Sequence, residues 1–432
     1  KIIASILFVF LCVTVAYAKT RATFLGVIFG LSIGMLVYLW HHKTKYVRWI
    51  SLGVFTILVV TASLRVLIPS ISLRDFSLST TARNLVSLSG APTRFYLWNV
   101  AWKGFKDRPL LGWGPENYEQ IFAVHYPKEL LSYSMYETWG ERPHNIFLEH
   151  LSGVGVLGTM LFLSLFAVVI ISAIKIRMKD PHDRALYMAM VGMWCGYGIF
   201  GLFTFDIPVV LFYLFAGTGI LVSFDPRIHI LSFSRFKTFR RVGAYCVTGL
   251  GIYGAFILFM IPLIESIHAQ TTSAMLFDHS ESVRVKEFAE TMFSRSTIFR
   301  NDTLKVLADD IINNDGKAIL KTDVYGVVVP VYISAFEDAL KKHPDLFALQ
   351  LRYAQLLAIA AQYIDRVTYE SKSHSAFAKA RELSAGRQVT EISESQLYVY
   401  FNDLTGLKEL TERLSKSGDN AALTSWFLGV IA

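Results

Sequence analysis

The apolar residues of this chain are concentrated in long runs within its first 265 positions, and this distribution limits what the chain can fold into. A helix needs about 20 consecutive apolar residues to cross the hydrocarbon core of a membrane. Runs that approach this length predict an all-α, multi-spanning membrane domain over 1–265, with about seven spans. The predicted spans are 2–18, 22–40, 49–68, 146–174, 186–205, 208–223 and 243–264.

Residues 266–432 have the composition of an ordinary soluble domain. The segment 345–363 places its apolar residues on one face of a helix with a 3.6-residue period, and polar breaks separate it from similar segments. The stretch from Pro344 and the stretch 376–384 are similar to tetratricopeptide helices, although no repeat of about 34 residues is evident. The sequence therefore predicts a soluble α-helical domain over 266–432, with a tetratricopeptide-like arrangement as one form of it.

The charged residues divide at the same place as the apolar ones. Residues 1–265 hold 24 Lys and Arg against 13 Asp and Glu, whereas residues 266–432 hold 18 against 21. The basic charge therefore belongs to the loops of a membrane domain, and it gives no reason to expect a nucleic-acid partner. Cys12, Cys195 and Cys246 all lie inside apolar runs, which predicts buried side chains rather than disulfides.

Basic residues in the short loops predict the orientation of the spans. Loops 41–48, 175–184 and 224–241 carry three, four and five Lys or Arg, and with seven spans they fall on one side. Short basic loops stay in the cytoplasm. Loop 69–145 and the domain 266–432 are then extracytoplasmic, and the chain starts on the cytoplasmic side at Lys1. This start favours a fragment truncated at its N-terminus, and a cleaved signal peptide before Lys1 is the alternative.

The loop 69–145 is 77 residues long, which exceeds what a simple connection needs. Its segment 93–107 carries aromatic residues at spacings of three and four, which predicts an amphipathic helix. The aromatic face suits either the lipid headgroup layer or packing against the membrane domain, and both alternatives lay the helix flat on the membrane. The aromatic residues are Phe95, Trp98, Trp102 and Phe105.

Three residues of the extracytoplasmic side are candidates for chemistry. His144 directly precedes a membrane helix, where the positive end of the helix dipole disfavours imidazolium and favours a bound anion. Arg21 and Arg94 are predicted at the same interface, and two guanidinium groups can bind a diphosphate. A capping role for His144 and anchoring roles for the two arginines are the alternatives.

Several polar residues could support these three. Asn145 is a candidate N-cap of the helix that follows His144. Glu116, Glu141 and Asp206 are predicted on the same side, where they could orient His144 or an arginine, and the alternative for each is a solvated surface carboxylate. The loop contains no DxD motif and no paired His and Asp spacing, so the sequence predicts neither a metal site nor a cofactor.

Four motifs occur in order along the chain: Arg94–Trp98, Asp107–Tyr118, Pro143–Glu149 and Gly153–Gly155. Together they resemble those of the O-antigen ligase family of membrane glycosyltransferases. The resemblance covers about 1–225 and implies a protein of about twelve spans, of which about five would precede Lys1. It implies transfer of a glycan from undecaprenyl diphosphate to lipid A–core, to a polysaccharide or to a protein, at the outer face of the bacterial inner membrane.

The resemblance also implies roles for individual residues. The family's functional residues match Arg21, Arg94 and His144, although members commonly have Ser-Arg-Gly where this chain has Thr20-Arg21-Ala22. The arginines would stabilise the leaving diphosphate and His144 would accept the proton of the acceptor hydroxyl. A single displacement of this kind inverts the anomeric configuration, and it is expected to proceed without a divalent metal.

The sequence leaves other functions open. A Wzy-type polysaccharide polymerase and a protein O-oligosaccharyltransferase would use the same donor chemistry. A different class is a non-catalytic scaffold for envelope polysaccharide assembly, in which the helical domain 266–432 recruits a protein partner. A transporter is disfavoured, because the predicted spans carry almost no charge away from their ends.

Overall fold

The computed structural model describes residues 21–40, 91–132, 139–175, 181–206, 208–223, 282–294, 300–314, 322–417 and 421–431, together with isolated helical positions within 46–53 and 245–274. The regular elements among these residues are helices, which confirms the predicted all-α class. The chain divides into two compact units. In the first unit the described helices are α1 (Arg21–Trp40), α2 (Ala91–Asp107), α3 (Tyr118–Val124), α4 (Ile146–Lys175), α5 (Pro181–Gly201) and α6 (Pro208–Ser223).

Helices α1 and α5 pack closely because glycines line their contact. A methyl group added at Gly26 would lie 2.8 Å from the carbonyl oxygen of Gly196, and one added at Gly30 would lie 2.6 Å from that of Gly192. Small residues allow such backbone contact between membrane helices. Gly30 follows Gly26 in α1, whereas its partner Gly192 precedes Gly196 in α5. The two helices are therefore antiparallel. The beginning of α1 therefore lies at the end of α5 that carries Gly201.

Helix α4 is a hairpin of two helical parts rather than one straight rod. Its Phe147 and Phe166 rings lie 6.1 Å apart, and the His150 and Phe162 rings lie 4.0 Å apart. A straight helix would separate Phe147 from Phe166 by about 28 Å. The chain turns back at Gly155, whose φ of 65° and ψ of −170° form a combination that only glycine adopts readily.

The described residues test part of the predicted membrane topology. The segment Ile146–Val169 is the one helical segment among them that is long and apolar enough to cross a membrane, while Leu25–Gly34, Met188–Gly201 and Val210–Gly219 are shorter apolar stretches. The span predicted over 146–174 is thus helical, but the turn at Gly155 divides it. The 20 residues from 156 to 175 could alone cover about 30 Å.

The other predicted spans have different outcomes. The predictions over 22–40 and 208–223 coincide with α1 and α6, and that over 186–205 begins inside α5 and runs past its end at Gly201. The predicted spans 2–18, 49–68 and 243–264 lie outside the described residues, apart from isolated helical positions in the last two. The complete seven-span bundle therefore stays a prediction.

Helix α2 forms as the sequence predicted, but its aromatic residues do not line its packed face. The side chains of Leu97, Val100 and Ala101 are buried, whereas Phe95 and Trp102 are exposed. Helix α2 packs against α4, and Tyr118 of α3 donates a 2.7 Å hydrogen bond to the carbonyl of Leu97. The exposed side chains of Phe95 and Trp102 do not follow the alternative in which the whole aromatic stripe packs against the protein.

The second unit is an array of helices in which neighbours along the chain pack against each other, except that the first described helix packs against the third. Its apolar core includes Leu304, Tyr332, Phe336, Leu357 and Phe377, all of them buried. Its described helices are α7 (Ser282–Ser294), α8 (Arg300–Asn313), α9 (Thr322–Lys342), α10 (Phe347–Tyr363), α11 (Arg366–Leu383), α12 (Gln388–Tyr400), α13 (Leu404–Ser417) and α14 (Ala421–Ile431).

The second unit also includes a piece of the long loop, Ala123–Leu131. Tyr126 in this segment donates a 2.5 Å hydrogen bond to the side chain of Gln388 at the start of α12. The fully buried Arg387 lies between two aromatic rings, 5.5 Å from that of Tyr126 and 4.3 Å from that of Phe347. The helical array therefore binds a segment that is distant from it in the sequence.

Buried charges hold α11, α12 and α13 together. Arg381 forms ion pairs with Glu391, at 2.8 Å, and with Glu394, and Arg413 lies 3.1 Å from Glu394. Burial alone would raise the pKa of Glu394, but a hydrogen bond from His374 and the charges of Arg381 and Arg413 outweigh burial and lower it. This stabilisation is therefore complete at neutral pH and is lost as the pH falls through the lowered pKa.

Replacing Arg381 with methionine is expected to destabilise the second unit by about 3 kcal/mol, because two buried carboxylates would lose their main partner. Thermal unfolding of the purified protein measures this loss. The matched control is Lys379→Met on the same helix, where the exposed ion pair with Glu382 contributes little. Equal unfolding temperatures for the two variants would contradict a stabilising role for the buried network.

Candidate functional site

The turn at Gly155 forms one wall of the candidate site, and a loop segment is bound to it. A helix that turns sharply exposes backbone groups that need partners. Here the segment 109–114 supplies them through four backbone hydrogen bonds. Trp113 donates to Ser152 at 2.9 Å, Gly114 to Gly153 at 2.8 Å, Val156 to Pro109 at 2.8 Å and Leu157 to Leu110 at 3.4 Å.

Two of the motifs that carry the family resemblance therefore bind each other. Gly112 has a φ of 70°, and a side chain there would overlap the backbone of Gly153. A side chain at Gly155 would overlap the carbonyl of Leu110 in the same way. Trp113 adds a 2.8 Å hydrogen bond from its indole nitrogen to the carbonyl of Gly104 in α2. These contacts fix the end of α2 against the turn of α4.

His144 lies at the other end of the first helical part of α4. The next residue, Asn145, caps the helix as predicted, because its side-chain oxygen accepts 3.1 Å hydrogen bonds from the backbone nitrogens of Phe147 and Leu148. His144 itself has a φ of 53°, a left-handed conformation that is uncommon for residues other than glycine. Its ring lies 5.5 Å from the ring of Phe205. The cap and the unusual backbone together hold the imidazole in one place.

The surroundings of His144 keep its imidazole neutral. Burial lowers the pKa of His144, the positive charges of Arg94 and then Arg142 lower it further, and Glu141 opposes them in part. The sequence predicted a neutral imidazole from the helix dipole alone. The structure adds partial burial and two arginines, and it brings Arg94 close enough to act on His144 although 50 positions separate them in the sequence.

Arg142 is an arginine that the sequence did not single out. It lies 2.8 Å from Glu149, is also paired with Glu116, and has its guanidinium 5.1 Å from the centre of the Phe205 ring. The supporting residue Glu116 thus orients an arginine, as the sequence suggested, although the arginine is Arg142. Glu149 belongs to the Pro143–Glu149 motif and Arg142 directly precedes it, so their positions at one helix start were a signal for this pair.

Arg21 is the first residue of α1, and its side chain is outside the described ones. Its backbone can still be placed relative to His144. The antiparallel packing of α1 on α5 brings the beginning of α1 to the end of α5 that carries Gly201. A methyl group at Gly201 would overlap Ile146, two residues after His144. Arg21 therefore begins its helix at the same end of the helix packing as His144.

Asp206 forms its hydrogen bonds with residues other than His144 and Arg142, and its predicted supporting role stays a prediction. One of its carboxylate oxygens lies 3.1 Å from Nε2 of His150, and the other accepts a hydrogen bond from the hydroxyl of Tyr197. The sequence missed His150 and Tyr197, since both lie in apolar runs. Their only signal was a polar side chain near the end of a predicted span.

The helices of the first unit include a candidate membrane span. At one end of these helices, His144 has a lowered pKa and lies near arginines, an arrangement typical of a membrane protein with an anion-binding site. Residues 6–163 match the family model described as O-Antigen ligase, Wzy_C, and this confirms the family resemblance. Members of this family are inner-membrane proteins of lipid-linked glycan and polysaccharide synthesis. No curated protein and no solved structure matches the chain.

Proposed function

We propose that the protein is a membrane glycosyltransferase that moves a glycan from undecaprenyl diphosphate to an acceptor hydroxyl at the outer face of the inner membrane. One observation carries the proposal: Arg94 and His144, distant in sequence, act on each other in a region that matches the O-antigen ligase family. An arginine beside a neutral imidazole combines an anion-binding group with a proton acceptor.

The proposed reaction is a single displacement. The acceptor oxygen attacks the anomeric carbon, the bond from that carbon to the diphosphate breaks, and its electron pair leaves with undecaprenyl diphosphate. Arg94 and Arg21 stabilise the negative charge on the leaving diphosphate. His144 accepts the proton of the acceptor hydroxyl. The reaction inverts the anomeric configuration and needs no divalent metal, because guanidinium groups supply the positive charge.

The wider assignment is also part of the proposal. Loop 69–145 and the helical domain 266–432 lie outside the cytoplasm, and the domain has a tetratricopeptide-like arrangement that binds a protein partner. The transfer is O-antigen ligase-like, and its acceptor is lipid A–core, a polysaccharide or a protein. Wzy-type polymerisation and protein O-glycosylation use the same donor chemistry, so separate assays with a lipid A–core, a polysaccharide and a protein acceptor distinguish them.

Replacing Arg94 with glutamine is expected to slow transfer by about tenfold to a hundredfold, since one charge-assisted contact to the diphosphate is worth roughly 1.5–3 kcal/mol. The measurement is transfer from a radiolabelled undecaprenyl-diphosphate glycan in membranes that contain the full-length protein. Arg94→Lys keeps the positive charge but cannot make the two parallel hydrogen bonds of a guanidinium group. Its transfer rate should therefore lie between those of the wild type and Arg94→Gln. Arg108→Gln is the matched control, because Arg108 is exposed and stacks 4.0 Å from Trp113.

Equal transfer rates for Arg94→Gln and the wild type would remove Arg94 from the reaction. Transfer by the wild type to none of the three acceptors would favour the non-catalytic scaffold.

A further inference from the structure

A cluster of three polar side chains lies beside the proposed site and has no part in the reaction described so far. We propose that His150, Asp206 and Tyr197 form the subsite that binds the acceptor, a polyhydroxylated sugar, through one of its hydroxyl groups. The inference rests on the proposed function, because it adds a binding subsite for the acceptor to the same site.

The geometry of the cluster selects one tautomer of a neutral His150 ring. Asp206 accepts through both of its oxygens, from the hydroxyl of Tyr197 and, over 3.1 Å, from Nε2 of His150. A carboxylate only accepts hydrogen bonds, so the proton of a neutral imidazole must be on Nε2. The Nδ1 atom is then an acceptor, and it can receive a hydrogen bond from a substrate hydroxyl.

The position of the ring is also fixed by packing. His150 stacks on Phe162 with their centres 4.0 Å apart, and Tyr197 is held in the core formed with Trp194 and Phe166. The His150 side chain nevertheless keeps about a quarter of its surface exposed. A rigid, partly open polar group held by a buried partner is what hydroxyl recognition requires.

The cluster adjoins the proposed catalytic residues through consecutive residues of one turn. The ring of Phe205 lies 5.5 Å from that of His144 and 5.1 Å from the guanidinium of Arg142, and the next residue, Asp206, binds His150. Consecutive residues of the Phe205–Asp206 turn therefore lie next to His144 and His150. A sugar bound at His150 would place a neighbouring hydroxyl within range of His144.

The charged groups near His144 differ from those near His150. Arg94 and Arg142 influence the pKa of His144, whereas His150 is paired with a carboxylate. An anionic diphosphate is favoured on the arginine side and disfavoured beside Asp206. An uncharged sugar hydroxyl is not repelled by Asp206, so the donor diphosphate and the acceptor hydroxyl are favoured on different sides.

The test measures the KM of the acceptor and the KM of the donor separately, in membranes with the full-length protein. His150→Phe keeps the stacking on Phe162 and removes both ring nitrogens. It should raise the acceptor KM about 10-fold to 100-fold and leave the donor KM unchanged, because a hydroxyl loses its partner. His150→Gln keeps a donor towards Asp206 and an acceptor oxygen, so it should restore part of the acceptor binding. His125→Gln, a histidine of the loop outside the cluster, is the control.

The outcomes separate the subsite from the proposed function. An unchanged acceptor KM in His150→Phe, with transfer by the wild type intact, would overturn the subsite alone. A purely structural role would lower the unfolding temperature of the variant and change both KM values together, and this too would overturn the subsite. A wild type that transfers no glycan would overturn the proposed function and the subsite with it.

Discussion

Replacing His144 with alanine is expected to slow glycan transfer by at least about a hundredfold, because a positioned proton acceptor typically contributes a factor of about 100 to 10,000. The backbone should tolerate the change, since Asn145 rather than His144 caps α4. The measurement is transfer from the undecaprenyl-diphosphate donor at matched amounts of protein in the membrane.

The pH dependence gives this prediction a second readout. Burial, followed by the charges of Arg94 and Arg142, lowers the pKa of His144, so the imidazole stays neutral to a lower pH than an ordinary histidine does. Transfer by the wild type should therefore begin to fall only below pH about 6.5, the ordinary histidine value. The transfer rate of His144→Ala should not show this fall at low pH.

The control for His144→Ala is His125→Ala, which removes a histidine from the same loop outside the site. Transfer by His144→Ala at the wild-type rate would exclude His144 as the proton acceptor. A fall in transfer that follows a fall in unfolding temperature would instead indicate a structural role.

Gly155→Ala is the second substitution with a large expected effect. Alanine is strained at a φ of 65° and a ψ of −170°, and its Cβ would overlap the carbonyl of Leu110. Strain and overpacking together are expected to cost about 2–5 kcal/mol. The segment 109–114 would separate from α4, and α2 would carry Arg94 away from His144. Both the unfolding temperature and the transfer rate should therefore fall.

Gly153→Ala is a close control, two residues away in the same motif. A methyl group at Gly153 would lie 3.4 Å from the carbonyl oxygen of Gly114, an ordinary contact. This variant should retain most of its stability and activity. Similar losses in the two variants would contradict the view that the turn at Gly155 is what binds the loop.

The sequence predicted much of the fold because helices depend on local patterns. The apolar run over 22–40 and the period of 93–107 were sufficient for α1 and α2. The turn at Gly155 could not be predicted from hydropathy, since residues on both sides of it are equally apolar and glycine also occurs inside straight membrane helices. The contact of Ala123–Leu131 with the helical array joins distant parts of the sequence, and no local pattern encodes it.

The sequence predicted several residues of the candidate site, but it predicted less well which of them contact each other. Arg94, His144 and Asn145 were named from their positions at helix ends, and the structure places Arg94 near His144 and confirms Asn145 as the cap. Arg142 was missed because two carboxylates bind it only after the loop folds. The partner of Asp206 was not anticipated, since His150 lies 56 positions away inside a predicted span.

The most direct test of the central claim is the balance of products in membranes that contain the full-length protein. Labelled undecaprenyl-diphosphate glycan, an acceptor and EDTA are supplied, and free undecaprenyl diphosphate and glycosylated acceptor are both quantified. A metal-independent glycosyltransferase that uses His144 should release one carrier for each acceptor modified, and His144→Ala should release almost none. Equal release by the wild type and His144→Ala, or carrier release without a modified acceptor, would contradict this mechanism.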